Sequence, residues 1–221
     1  MTAGDQMRRD VIRELEWDPQ VSDAAAIGVA VQDGAVTLTG RAASYSESQA
    51  AVRAAARVSG VRAVADELKI QLPEQPRDDA DIARAVAHVL DWDTQVPDDM
   101  VHATVQAGWV DLTGEVEANY QRREAERMVR NIRGVTGITN NLTVAPRRRR
   151  RASAADAEAE IEEAFRRSAG IKAAHLRVKV TDHTAELYGE VHSLAEASAA
   201  SEAAASAPGV AKLENHLVVL P

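Results

Sequence analysis

The chain has no cysteine, which excludes disulfides, thiolate nucleophiles and cysteine-ligated metals. Aromatic residues make up only 3% of its 221 residues, with Phe165 the single phenylalanine. Any core is therefore built from Val, Ile, Leu and Ala. No apolar run approaches the roughly 18 residues of a membrane span. The opening stretch, MTAGDQMRRDVIRELEW, lacks the uninterrupted apolar segment of a secretory signal. Gly4 is not the second residue, so the myristoylation pattern is absent too. As the sequence stands it reads as cytoplasmic. The phosphate loops G-x-x-x-x-G-K-[ST] and G-x-G-x-x-G and the nucleophile elbow G-x-S-x-G are missing. The expectation is a protein that is not an enzyme and needs no cofactor.

The formal charge of −8 is uneven. Residues 1–74 carry −3, residues 75–146 carry −5, and residues 152–221 carry −5. Between them, Arg147, Arg148, Arg149, Arg150 and Arg151 give +5. Acidic segments make poor general binders of nucleic acid, whose phosphates demand many Lys and Arg contacts. Nucleic acid is therefore not the expected partner.

An internal repeat organises the chain. A glycine closes the strand-like runs Leu38–Gly40, Leu112–Gly114 and Leu187–Gly189, at spacings of 74 and 75. A second glycine, followed by valine, recurs as Gly60-Val61, Gly134-Val135 and Gly209-Val210 at the same spacings. Apolar positions keep step around both. Ile27, Val29 and Val31 answer to Val101, Ala103 and Val105, and to Leu176, Val178 and Val180. The chain is thus three copies of one module of about 65–70 residues, a size at which a domain folds alone but marginally. The expected bounds are residues 4–72, 78–146 and 154–220, with an arginine-rich linker at 147–153.

Each copy reads in the same order. Met7, Val11, Ile12 and Leu15 lie on one helical face, as do Ile82, Val86, Val89 and Leu90, and Ala157, Ile161, Ala164 and Phe165. Two alternating strands follow, joined by Asp33-Gly34, Ala107-Gly108 or Asp182-His183. Only the first of these is a strong hairpin signal. A second helix opens on Ser44 with Glu47 and on Ser193 with Glu196, which are capping boxes. Copy two has Ala118 and Gln121 there, so Asn119 is expected to cap instead. Gly60, Gly134 and Gly209 are expected at the left-handed C′ position of this helix. A last strand closes the module. The fold class is α+β: three tandem modules, each α-β-β-α-β, with two helices packed on a three-stranded mixed sheet. Pro73 and Pro76 stiffen the first linker.

These runs resemble the BON domain, a bacterial module of osmotically inducible and nodulation proteins. The residues that carry the likeness are Val36–Gly40, Gly60–Val64 and Asp66–Leu68. Val110–Gly114, Gly134-Val135 and Asn140–Leu142 match them, as do Ala185–Gly189, Gly209-Val210 and Glu214–Leu217. The resemblance implies a non-enzymatic binding or adaptor protein linked to osmotic or envelope stress. It implies an anionic phospholipid surface or a protein as partner. It also implies two alternatives: a cytoplasmic sensor that binds a monovalent cation such as potassium, and a chaperone-like holder of clients. Relatives are often periplasmic, and many carry an export signal.

Candidate sites are weighed against plainer readings. Gly40, Gly60, Gly114, Gly134, Gly189 and Gly209 read as backbone geometry, where a side chain would be blocked. Glu115 and Glu117 lie two apart and would share a strand face; with Asp98-Asp99, Asp66-Glu67 and Glu162-Glu163 they read as solvated acids rather than an acid–base pair. The six histidines show no H-x-x-x-H spacing, so no metal ligand is assigned. Trp17 and Trp92 read as residues that cover a helix end or join modules. Arg147–Arg151 are the candidate for anionic-lipid contact, at about 1 kcal/mol per basic residue near such a surface. The plainer alternative is a solvated linker near Asp156, Glu158 and Glu160.

Overall fold

A computed structural model describes residues 3–71, 77–92, 100–145, 153–168 and 170–220. Module 1 comprises α1 (Ala3–Trp17), β1 (Ile27–Gln32), β2 (Ala35–Ala42), α2 (Tyr45–Arg57) and β3 (Ala63–Ile70). Module 2 comprises α3 (Asp79–Trp92), β4 (Val101–Gln106), β5 (Trp109–Val116), α4 (Asn119–Arg130) and β6 (Gly137–Val144). Module 3 comprises α5 (Ala154–Arg167), β7 (Leu176–Thr181), β8 (Thr184–Val191), α6 (Leu194–Ala205) and β9 (Lys212–Val219). The strand orders are β1-β2-β3, β4-β5-β6 and β7-β8-β9. The first two strands of each sheet form an antiparallel hairpin. β6 and β9 then join in parallel, with Trp109 opposite Gly137 and Thr184 opposite Lys212. A parallel return needs a crossover, and the second helix of the module supplies it.

Each module has its own core, assembled from the positions that the periodicity picks out. Val11 and Leu15, Ile82, Val86 and Leu90, and Ala157, Ile161 and Phe165 are buried from the first helices. Val36 and Leu38, Val110 and Leu112, and Ala185 and Leu187 meet them from the central strands. The second helices of modules 1 and 3 approach on alanines: Ala50, Ala51, Ala54 and Ala55, then Ala200 and Ala204. Small side chains let those helices lie close to the layer beneath. Alternation along the strands leaves the opposite sheet face to solvent.

The three hairpin turns have one geometry despite their different sequences. φ is +48° and +79° at Asp33-Gly34, +50° and +76° at Ala107-Gly108, and +47° and +65° at Asp182-His183. Two positive φ values in a two-residue loop match the right-handed twist of the strands. Tertiary context therefore holds Ala107 and His183 in a region that non-glycine residues adopt at some cost. The carbonyl of the second turn residue accepts the chain that enters the last strand, from Arg62 N (2.8 Å), Thr136 N (2.9 Å) or Ala211 N (2.8 Å).

The second repeated glycine is not a helix C′ residue. α4 and α6 end on the caps Asn131 and Ser206, three residues before Gly134 and Gly209. The glycine is instead the third residue of a β-turn closed by Val61 N to Val58 O, Val135 N to Ile132 O, or Val210 N to Ala207 O. A turn with positive φ at its third residue calls for glycine, and φ is +78°, +101° and +88° there. Module 3 places Pro208 before it, the favoured residue at the second turn position.

The described chain forms two compact units. One holds module 3 and most of module 1. Within it Gly60 N donates to the carbonyl of His192 (3.1 Å), and Leu194 packs against the module 1 core. The other holds module 2 with the segment Ala43–Ser46. Within it Tyr45 packs against the module 2 core, and Ser46 Oγ donates to Asn131 Oδ1 (3.0 Å). Tyr45 and Leu194 occupy the same position of the repeat, so one kind of contact is used in both units.

Candidate functional site

Three of the four buried polar residues among the described residues share a repeat position, Ser48 being the fourth. Glu47, Gln121 and Glu196 are the fourth residues of the capping sequences, and all three are buried. Glu47 Oε1 accepts from Ser22 N (2.5 Å) and Ser22 Oγ (2.6 Å). Glu196 accepts from Lys172 N (2.9 Å) on one oxygen and His192 N (2.9 Å) on the other. Each carboxylate therefore ties the loop before the first strand to the module's second helix. Gln121 supplies the local half of the same contact, accepting from Glu117 N (2.8 Å) and Ala118 N (3.1 Å). The N-cap there is Ala118, not Asn119, which is the first helical residue. These acids hold backbone, as buried polar groups must.

Burial pushes the Glu196 carboxyl up, but the N–H groups of His192 and Lys172 and the charges of those two residues outweigh it and leave it below the usual glutamate range. The unfolded chain therefore takes up its proton first as the pH falls. Stability from this carboxylate is fully present above about pH 4.3, the unperturbed glutamate value, and is lost as pH drops through the lowered folded value. Asp18, held by Arg57 (2.8 Å) against the opposing effect of burial, is lowered as well and acts in the same sense. In thermal melts between pH 6 and 3, Glu196→Gln is expected to show a shallower acid decline than the parent chain. Module 2 already carries glutamine at this position. Parallel declines would show that the proton uptake lies elsewhere.

The remaining acids do not converge. β5 ends at Val116, so Glu115 and Glu117 do not share a strand face as their spacing suggested. Asp66 accepts from Ser48 Oγ (2.6 Å) and Leu68 N (3.0 Å), and Glu163 pairs with Arg167 (3.1 Å). Asp98-Asp99 lie outside the described residues, as do Arg147–Arg151. Among the described residues no three His, Asp or Glu side chains are grouped to hold a metal ion. His183 Nδ1 meets the carbonyl of Gly209 (2.8 Å), a structural contact inside the turn.

The exposed faces carry the larger side chains. Trp17 is 83% exposed, so it neither covers its helix end nor joins modules; the Trp92 side chain lies outside the described residues. On the open sheet face of module 2, the half-exposed ring of Trp109 lies over Gly137 and donates Nε1 to Thr139 Oγ1 (2.9 Å). On that of module 3, Tyr188 and His216 stack with centroids 4.9 Å apart, and Val218 is exposed beside them. The Tyr188 hydroxyl donates to Glu186 (2.6 Å), which raises it above the usual tyrosine range. Neither arrangement was found from the sequence. Strand alternation, which sets Trp109 and Tyr188 opposite in sense to Leu112 and Leu187, was the signal for it. No helix among the described residues is long and apolar enough to cross a membrane.

Comparison with curated proteins finds no match. Among solved structures the chain is similar to CdsD, a structural protein of the type III secretion system of Chlamydia trachomatis. That likeness has 14% identity over 98% of this chain and 93% of the other, at a TM-score of 0.27. The C-terminal domain of CdsD also matches, with 14% identity over 96% of each chain and a TM-score of 0.26. A family profile of the BON domain matches residues 4–71, 78–146 and 153–221. With three profile matches in tandem, coinciding with three α-β-β-α-β modules, the chain belongs to the BON domain family.

Proposed function

We propose that this chain is a non-catalytic adaptor of three BON modules that holds an anionic phospholipid surface or a partner protein under osmotic or envelope stress. The observation that carries the reading is the contrast between interior and exterior. The buried carboxylates and Gln121 hold backbone amides, whereas aromatic and aliphatic side chains stand on the open sheet faces. Contiguous exposed apolar surface marks a contact site, and on module 3 Tyr188, His216 and Val218 share one sheet face. Arg147–Arg151 add five positive charges to a chain of net charge −8, a local attraction for anionic headgroups.

Sedimentation with vesicles of phosphatidylglycerol and phosphatidylcholine at low salt tests this. The chain is expected to be retained, and a variant with all five arginines changed to alanine to be retained at least tenfold more weakly. Added salt should release both, because the attraction is screened. No partitioning by either protein overturns the lipid reading, and equal partitioning of the two takes the lipid contact away from Arg147–Arg151. No partitioning, together with a Tm raised by potassium chloride but not by sodium or choline chloride, would move the protein to the ion-sensor class through linkage of binding to stability.

A further inference from the structure

We infer that the cleft in the second unit, where Ser44–Ser46 face the end of α4, binds a single oxyanion of the phosphate class. The cleft encloses about 630 Å³, and Ser44, Ser46, Gln71, Arg130, Asn131 and Arg133 supply its polar wall. Among the described residues no carboxylate lines it, in a chain with 34 acidic and 26 basic side chains. Two guanidinium groups do. Arg133 is exposed and makes no ion pair or hydrogen bond among the described residues. Arg130 gives one Nη to Glu126 (2.7 Å), so Glu126 offsets its charge. Its Nε is nevertheless buried with no acceptor among the described residues. A buried charged donor left unsatisfied is costly, so an oxyanion that draws the Arg130 side chain toward the cleft would give that donor an acceptor.

The repeat shows that the fold does not require this pair. The positions of Arg130 and Arg133 are Ala56 and Ser59 in module 1, and Ala205 and Pro208 in module 3. The neighbouring wall is already fixed, because Ser46 Oγ donates to Asn131 and Asn131 Nδ2 donates to the carbonyl of Arg127 (3.1 Å). Guanidinium groups suit tetrahedral oxyanions because their paired N–H groups match two oxygens at once. The shared chemistry is a phosphate, whether a soluble anion or a lipid headgroup. This inference deepens the proposed reading by giving it a headgroup-sized site, and it is separate from Arg147–Arg151.

The test uses the full chain and inorganic phosphate, titrated against chloride at constant ionic strength, with Tm and calorimetric binding as readouts. Arg133 is exposed, so Arg133→Gln is expected to fold and melt as the parent does in chloride. A saturable rise of Tm with phosphate is expected for the parent. A further variant with Arg147–Arg151 changed to glutamine should keep that rise, and Arg133→Gln should bind on the order of tenfold more weakly, as for loss of one charged hydrogen bond. Equal responses of the parent and Arg133→Gln, or a response that disappears with the five-glutamine variant, overturn the site. Phosphatidic acid vesicles then separate the sources. Retention that needs Arg133 and is competed by inorganic phosphate assigns a headgroup, and a phosphate response without Arg133-dependent retention assigns a soluble anion. Retention lost only in the five-glutamine variant would leave the adaptor reading standing without this cleft.

Discussion

Phe165→Ala is expected to unfold module 3. Phe165 is 2% exposed and sits among Ala157, Ile161, Val180, Leu187 and Val210. Removing a buried phenylalanine costs about 3–5 kcal/mol, depending on how far the surroundings collapse into the space. Collapse is poor here, because the facing helix contributes Ala200 and Ala204, and an alanine has no rotamer with which to fill a void. The cost should therefore lie near the upper end. A module of this size has only about 3–10 kcal/mol to lose, at roughly 0.05–0.15 kcal/mol per residue. Hydrogen exchange followed by mass spectrometry is expected to show protection lost across residues 154–220 and kept in module 2, which has a separate core. A loss below about 2 kcal/mol, with module 3 protection intact, would mean that the alanine-rich helix moves in after all.

The repeat and the element order were legible because they rest on spacing. Offsets of 74 and 75 align glycines and core valines wherever the modules sit, and Val11 with Leu15, or Ile82 with Val86, declare a helical face by themselves. Local geometry was less legible where context overrides propensity. Ala107 and His183 do not announce a turn with two positive φ values, yet the strand register imposes one. Gly60, Gly134 and Gly209 looked like helix ends because they follow a helical pattern. The helices stop earlier, and a β-turn intervenes. The capping sequences promised contacts between neighbours in sequence. The carboxylates of Glu47 and Glu196 also reach Ser22 and Lys172, about 25 residues away, which no local rule includes. Ser44 and Arg133 meet in one cleft from different modules, and no spacing rule links them.

Gly114→Ala is the second change expected to be severe, although it adds one methyl group. Gly114 stands at φ +129°, opposite Val101 across the hairpin. A Cβ built there runs into the carbonyl oxygen of Met100, the residue that leads into β4. The obstacle is backbone, so no rotamer change relieves it. Either β4 moves away from β5 or Gly114 abandons its conformation. Holding a non-glycine residue in such a region costs about 1–3 kcal/mol, and forcing packed backbone apart costs about 1–3 more. A loss of roughly 3–5 kcal/mol in module 2 is expected from urea unfolding. Gly40 and Gly189 meet the carbonyls of Ala26 and His175 in the same way, so the same change should act alike in all three modules. Gly137→Ala is the control. Its new Cβ meets the ring of Trp109 rather than backbone, and that ring is half exposed and can tilt outward at the expense of its hydrogen bond to Thr139. It should cost roughly 1 kcal/mol, the common value for a point mutation, and shift the tryptophan emission. If the two variants lose equal stability, added volume, and not the backbone path at the end of the central strand, is what the module resists.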